Sequence, residues 1–277
     1  MHLKKGVFNL ADRNMEYITF GQGPPFLIIP GQGDGLATVG QSARQLYYFY
    51  RSYGQKVQVI VASRPEPVTP GATTAEMADE YAALMKHLGF SSYRVLGISM
   101  GGMIAQFLAA NYPQQVSQVV LALTVPWTDE HLGEIVRGWI KLAENGDYRE
   151  LLIDTTRRTY SGWKRVIYTR VAALISRWKP SRDLTRFIHQ AQACLNHDAR
   201  GVLNQIESPT LIISGSEDQI TPPAGGEELD QGIPQSQFVL LENTGHGACE
   251  EKRREIDDLI FNFWEEGPAL ISPGGGE

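Results

Sequence analysis

Six short apolar runs without polar alternation punctuate the chain. They are Phe26–Ile29, Val57–Ala62, Val95–Ile98, Val119–Leu123, Leu211–Ile213 and Phe238–Leu241. Runs of this kind predict strands buried on both faces, as in a parallel sheet. Between them the apolar period changes to that of a helix. Met77, Tyr81, Leu84, Met85 and Leu88 fall on one helical face over Thr74–Leu88, and Gly89 follows as a stop. Ile104, Phe107 and Leu108 do the same over Met100–Asn111, which Pro113 ends. Ile256, Ile260 and Phe263 stripe a last helix over Glu250–Trp264. The first 30 residues read as a hairpin, with Tyr17-Ile18-Thr19 in one arm. The β-α-β-α order predicts a doubly wound, mostly parallel α/β sheet.

One stretch breaks this rhythm. From Thr124 to Ser208 only helical patterns occur, through Leu132-Ile135-Val136-Trp139-Ile140, Leu151-Leu152, Val166-Ile167-Val171-Leu174-Ile175 and Leu184-Phe187-Ile188-Ala191-Leu195. The expected division is a core of residues 1–123 and 209–277 with an all-helical cap inserted at 124–208. The tail Ser272–Glu277 is the one low-complexity piece and should fray.

Composition narrows the function. With 277 residues, 42% hydrophobic, the chain suits one ordinary core plus an insertion. A net charge of −6 is a poor footprint for phosphate, so no nucleic-acid partner is expected. No apolar stretch approaches the ~20 residues that span a bilayer, so no membrane partner is expected either. Two cysteines, Cys194 and Cys249, are too few for a disulfide framework and fit a reducing, cytoplasmic setting. His131, His189 and His197 lack ligand spacing, so neither a metal nor another cofactor is expected.

The sharpest local signal is Gly97-Ile98-Ser99-Met100-Gly101-Gly102, where a strand turns directly into a helix. Glycines there permit a tight turn that lifts the serine hydroxyl above the sheet. With this motif the chain resembles the α/β-hydrolase fold family, from about Tyr17 to Trp264. The resemblance implies an acid after a later strand and a histidine after the last one. Asp218, in Gly215-Ser216-Glu217-Asp218, fits the acid, with Glu217 as its neighbour and rival. His246, in Gly245-His246-Gly247, fits the histidine. A serine hydroxyl needs a base to attack at neutral pH, and the base needs an acid to hold its tautomer. The oxyanion would be met by the N–H groups of Met100 and, by family position, Gln32 in Pro30-Gly31-Gln32-Gly33-Asp34-Gly35.

The chain departs from the family where His-Gly is common and Pro30-Gly31 stands here, and where Ser63-Arg64-Pro65 replaces Asp-x-Arg-Gly. Arg64 is expected to be a solvated loop residue without a role. Gly31-x-Gly33-x-Gly35 also invites a Rossmann reading, but Leu36 stands where the third glycine belongs and a hairpin precedes the strand.

The expected function is a serine hydrolase acting on a small or medium carboxylic ester, thioester or lactone. A carbon–carbon bond hydrolase and a non-hydrolytic small-molecule receptor on the same fold are the alternatives. Nucleophilic-aspartate chemistry is disfavoured by Ser99. The insertion holds thirteen Lys and Arg against ten Asp and Glu, a net +3 in an acidic chain. Solvated helix faces explain that charge; a substrate with a carboxylate or phosphate handle is the sharper option. Trp127, Trp139, Trp163 and Trp178 lie in the insertion, where they pack helices or line an acyl pocket.

Overall fold

The computed structural model describes residues 1–176 and 183–266. The expectations for the tail Ser272–Glu277 and for Trp178 lie outside the described residues. Strands β1 (Lys4–Leu10) and β2 (Arg13–Phe20) form an antiparallel hairpin. They lead to β3 (Pro25–Ile29), β4 (Gln58–Ala62), β5 (Tyr93–Ile98), β6 (Val116–Ala122), β7 (Thr210–Gly215) and β8 (Ser236–Leu241). The eight-stranded sheet has the order β1-β2-β4-β3-β5-β6-β7-β8. β2 meets β4 antiparallel, and every pairing from β4 through β8 is parallel. This is the fold that the resemblance implies.

Burial on both faces underlies the apolar runs of β3 to β7. The sixth run, in β8, lies at the edge of the sheet, half-buried and with Leu240 exposed, which corrects the expectation of two-sided burial there. Leu27, Ile29, Ile60, Val95, Val119, Leu121 and Ile212 point to one side, with Met77, Tyr81 and Met85 of α2 (Thr74–His87) and Ile104 and Leu108 of α3 (Met100–Asn111). Phe26, Ile28, Val59, Val61, Leu96, Val120, Leu211 and Ile213 point to the other. There they meet α1 (Ala43–Tyr50) and α10 (Arg253–Glu266) through Ala43, Tyr50, Ile256, Ile260 and Phe263. Each fully buried large side chain contributes roughly 1.5–3 kcal/mol to this two-sided core.

Helix α2 opens on a capping box, Thr73 with Glu76. Two helices, α1 and α8 (Pro223–Gly232), come in addition to those read from the periodicity. The final helix read as Glu250–Trp264 is broken at Lys252, leaving a short α9 (Ala248–Glu251) before α10.

Between β6 and β7 the described chain forms α4 (Glu130–Glu144), α5 (Tyr148–Thr159), α6 (Gly162–Ile175) and α7 (Thr185–Leu195). The two ends of this segment are tied together by an isolated antiparallel bridge, Trp127 to Asp198. Thr128 N–H donates to His197 O at 3.0 Å and Ala199 N–H to Pro126 O at 2.8 Å. Because β3, β5, β7 and β8 are parallel, the loops after them all open at one edge of the sheet. Ligand sites of such sheets form there.

Candidate active site

Ser99 follows β5 directly and precedes α3. Its backbone takes φ 55° and ψ −120°, a strained region for a residue with a side chain. Close approach explains the flanking glycines. A Cβ on Gly97 would lie 2.5 Å from Gly101 O, and one on Gly101 2.0 Å from Ile29 O. The turn is held by Ser99 N–H donating to Ala122 O at 2.9 Å and Gly102 N–H donating to Ser99 O at 2.8 Å.

Three loops bring three distant residues together. His246 Nε2 lies 2.9 Å from Ser99 Oγ, and His246 Nδ1 lies 2.7 Å from Asp218 Oδ2. A carboxylate only accepts, so Nδ1 carries the proton and Nε2 is free to accept from the serine hydroxyl. Asp218 is buried, and four donors converge on it. Its Oδ1 accepts from Ile220 N–H at 2.8 Å and Thr221 N–H at 2.9 Å. Its Oδ2 accepts from Thr221 Oγ1 at 2.9 Å as well as from the imidazole. Glu217 is exposed and uses its own N–H on Thr244 O. Thr221 was not picked out in the sequence; its hydroxyl also lies 3.1 Å from His246 Nδ1. The spacing Asp218-x-x-Thr221, a short side-chain-to-backbone turn, was the available signal.

Gln32 starts a short 3-10 turn and Met100 starts α3. First residues of helices have no intrahelical acceptor for their N–H groups, which leaves both donors available. Gln32, Ser99 and Met100 share the wall of one small apolar recess. The Gly31 loop abuts the serine so closely that a Cβ on Gly31 would be 3.2 Å from Ser99 Cβ.

Above Ser99 and His246 lies a cavity of about 480 Å³. Phe49 and Tyr50 line it from the core, Trp139, Thr155, Tyr160 and Phe187 from the insertion. Among the described residues no Lys or Arg lines it, while Asp34 and Glu250 do. Glu250 is exposed, but into a concave setting where surrounding protein raises its pKa; the Tyr160 hydroxyl, 3.4 Å away, pulls it the other way. Seven of the insertion's cations, Arg137, Arg149, Arg157, Arg158, Lys164, Arg186 and Arg200, are engaged in ion pairs. Of the insertion's described tryptophans, Trp139 reaches the cavity, its Nε1 donating to Asp154 at 3.0 Å. Trp127 lies under the Arg200 guanidinium, and Trp163 is exposed.

Arg64 corrects an expectation. It is not solvated: its side chain is fully buried, and it donates to Pro30 O and Gly31 O at 2.6 Å each. It also pairs with Asp34 at 3.2 Å. Cys194 is buried, its thiol pushed up to about 12 by burial, and donates weakly to Gln32 Oε1 at 3.5 Å. No cluster of His, Cys, Asp and Glu able to hold a metal occurs among the described residues. None of their helices is long and apolar enough to cross a membrane.

The family described as serine aminopeptidase, S33, matches residues 72–253. A 2-hydroxy-6-oxononadienedioate/2-hydroxy-6-oxononatrienedioate hydrolase of Pseudomonas putida is 26% identical over 267 residues, covering 91% of this chain and 92% of that protein. A 3-oxoadipate enol-lactonase of Acinetobacter baylyi is 26% identical over 247 residues, covering 86% of this chain and 88% of that protein. Among solved structures, MGS-M2, an alpha/beta hydrolase from a Medee basin deep-sea metagenome library, has a TM-score of 0.83 at 23% identity. The match covers 97% of this chain and all of that one.

Proposed function

This chain belongs to the α/β-hydrolase family, and from that premise we propose that it is a serine hydrolase of small or medium carboxylic esters, thioesters or lactones. The observation that carries the reading is the unbroken relay from Ser99 through His246 to Asp218.

Ser99 Oγ attacks the acyl carbon while its proton passes to His246 Nε2. Asp218 stabilises the imidazolium and keeps Nδ1 protonated. The carbonyl oxygen becomes an anion facing Gln32 N–H and Met100 N–H. A single lost donor of this kind typically costs about 3–4 kcal/mol in the barrier. As the tetrahedral intermediate collapses, His246 returns the proton to the departing alcohol, thiol or ring oxygen. Water, deprotonated by the same Nε2, then attacks the acyl-serine; the acid leaves and Ser99 is restored.

We read residues 124–208 as a cap over a core of 1–123 and 209–277. Its contribution of Trp139, Thr155, Tyr160 and Phe187 to the cavity wall supports this. The wall favours an uncharged acyl group over an anionic one. A carboxylate or phosphate handle would find no cation among the described lining residues and would face Glu250. The +3 charge of the insertion would act outside the cavity. A neutral small-molecule ester handled in the cytoplasm, without nucleic acid or membrane, is the partner we propose.

A fluorophosphonate probe and a panel of p-nitrophenyl esters of rising chain length test the reading. Wild type should be labelled and should turn esters over, and Ser99→Ala should do neither while keeping its fold. Labelling of Ser99→Ala at the wild-type rate would refute the assignment. Labelling of wild type without turnover of any ester would favour the receptor or carbon–carbon alternatives.

A further inference from the structure

The loop that carries Gln32 is short, rich in glycine and free of regular structure before its 3-10 turn. Something must hold its main chain to the geometry an oxyanion donor needs. From below, Arg64 grips the carbonyls of Pro30 and Gly31. Asp34, 4% exposed, accepts from Ser63 Oγ at 2.6 Å and from Arg64 N–H at 3.2 Å.

The other half of the grip comes from the insertion. Arg186, on α7 and 152 positions away from Asp34, donates through Nη2 to Asp34 Oδ2 and, at 2.9 Å, to Arg64 O. Its Nε donates to Asp34 O at 3.1 Å, and its Nη1 to Pro65 O at 3.0 Å and to Glu66 Oε2 at 2.5 Å. One turn further on, Gln190 Nε2 donates to Asp34 Oδ2 at 3.2 Å. The Gln32 side chain reaches back, donating to Phe187 O at 3.0 Å. The contact is close: a Cβ on Gly35 would lie 2.9 Å from Phe187 Cα. The donor loop is therefore clamped between a core arginine and an arginine of the insertion, through one buried carboxylate.

Resting on the serine-hydrolase reading above, we infer that Arg186 is a positioning residue that couples docking of α7 to the oxyanion hole. It touches no substrate, since it does not line the cavity with Ser99. It acts through Asp34 on the loop that aims Gln32 N–H. An interaction made with an oxyanion exists in the tetrahedral state and not with bound ester, so its loss falls on kcat rather than KM. A cap whose α7 lifts away would leave Ser99 and His246 in place and disarm the hole.

The test compares wild type, Arg186→Met and Arg186→Lys as full chains, each checked for fold by circular dichroism. Steady-state ester kinetics are read beside two inhibitors. One is a trifluoromethyl ketone, whose adduct with Ser99 puts an oxygen anion in the hole; the other is a neutral amide isostere that binds only as ground state. Outright loss of a donor costs 10²–10³ in kcat, so a displaced one should cost about 10–100-fold. Arg186→Met should show that loss with KM within about threefold. Ketone affinity should fall in step with kcat, and amide affinity should hold. Arg186→Lys should recover part of the loss, restoring the charge without the forked contacts.

Unchanged kcat, or unchanged ketone affinity, in a folded Arg186→Met overturns the inference. Should Arg186→Met not fold, Arg186→Lys is judged by the same two readouts. A wild type inert to every ester and to the ketone overturns the hydrolase reading itself. An active wild type matched by both variants overturns only the role of Arg186.

Discussion

Replacing Asp218 with Asn puts the greatest weight on the proposed relay, because it changes one atom and little shape. In the folded protein Asp218 Oδ1 takes two backbone N–H groups, from Ile220 and Thr221, and Oδ2 takes the Thr221 hydroxyl and the imidazole. An Asn side chain can keep its oxygen on the two N–H groups, so the loop should survive. Its amide nitrogen then sits where Oδ2 was. The Thr221 hydroxyl can rotate to accept, but the protonated Nδ1 of His246 cannot. The ring must shift its proton to Nε2, which then faces Ser99 Oγ as a donor and cannot serve as base. That wrong tautomer is worth about 10⁴ in kcat, or about 5.5 kcal/mol at 1.36 kcal/mol per tenfold. The assay is release of p-nitrophenol from the best ester, with the rate of fluorophosphonate labelling measured in parallel. Both should fall together, while the melting temperature moves only by a few degrees. A kcat within tenfold of wild type would refute the relay, because the tautomer argument leaves no milder result.

The remaining expectations concern the elbow and a buried histidine. Gly101→Ala would force a Cβ to 2.0 Å from Ile29 O, a backbone atom that cannot swing away. A loss of about 3 kcal/mol or more is expected by thermal or urea unfolding, and a variant with wild-type stability and kcat would disprove the close-approach account. His197 is buried with Nδ1 2.9 Å from Thr74 Oγ1, and burial pushes its pKa down to about 4. Below about 6.5 the unfolded chain takes a proton that the folded chain refuses until about pH 4. Stability is therefore lost as pH falls through that window, by roughly 3 kcal/mol in all. His197→Asn should flatten this part of the unfolding free energy against pH; an unchanged slope would show that other groups carry it.

Local chemistry was enough to read much of this protein. A short apolar run bounded by turn residues suits a buried strand, and six such runs became β3 to β8, five of them covered on both faces and β8 a half-buried edge. The Gly97 to Gly102 turn was legible because its constraint is local: no larger residue fits beside Gly101 O or Ile29 O. Asp218 and His246 were legible because the resemblance to the α/β-hydrolase fold implies an acid and then a histidine after later strands; parallel strands send their following loops to one edge, which is why that order can work. Helix α1 escaped notice although Ala43, Leu46, Tyr47 and Tyr50 fall at helical spacing, because it is only eight residues long and Tyr48 and Phe49 fill the gap in the stripe with further aromatics. The break at Lys252 has no Gly or Pro to mark it.

The fate of charged groups could not be read in this way. Arg64 looked like a solvated loop arginine because its counter-charge is thirty residues back in Asp34, and its carbonyl partners lie further still. Arg186 looked like one cation among thirteen until folding set it on that same carboxylate. Likewise the insertion's net +3 gave no hint that the cavity beneath it has no cation among its described lining residues. Burying an apolar side chain needs only some apolar partner, so a one-dimensional pattern predicts it. Burying a charge needs a particular opposite charge and particular acceptors at about 3 Å, and only the tertiary structure decides which distant residues arrive there.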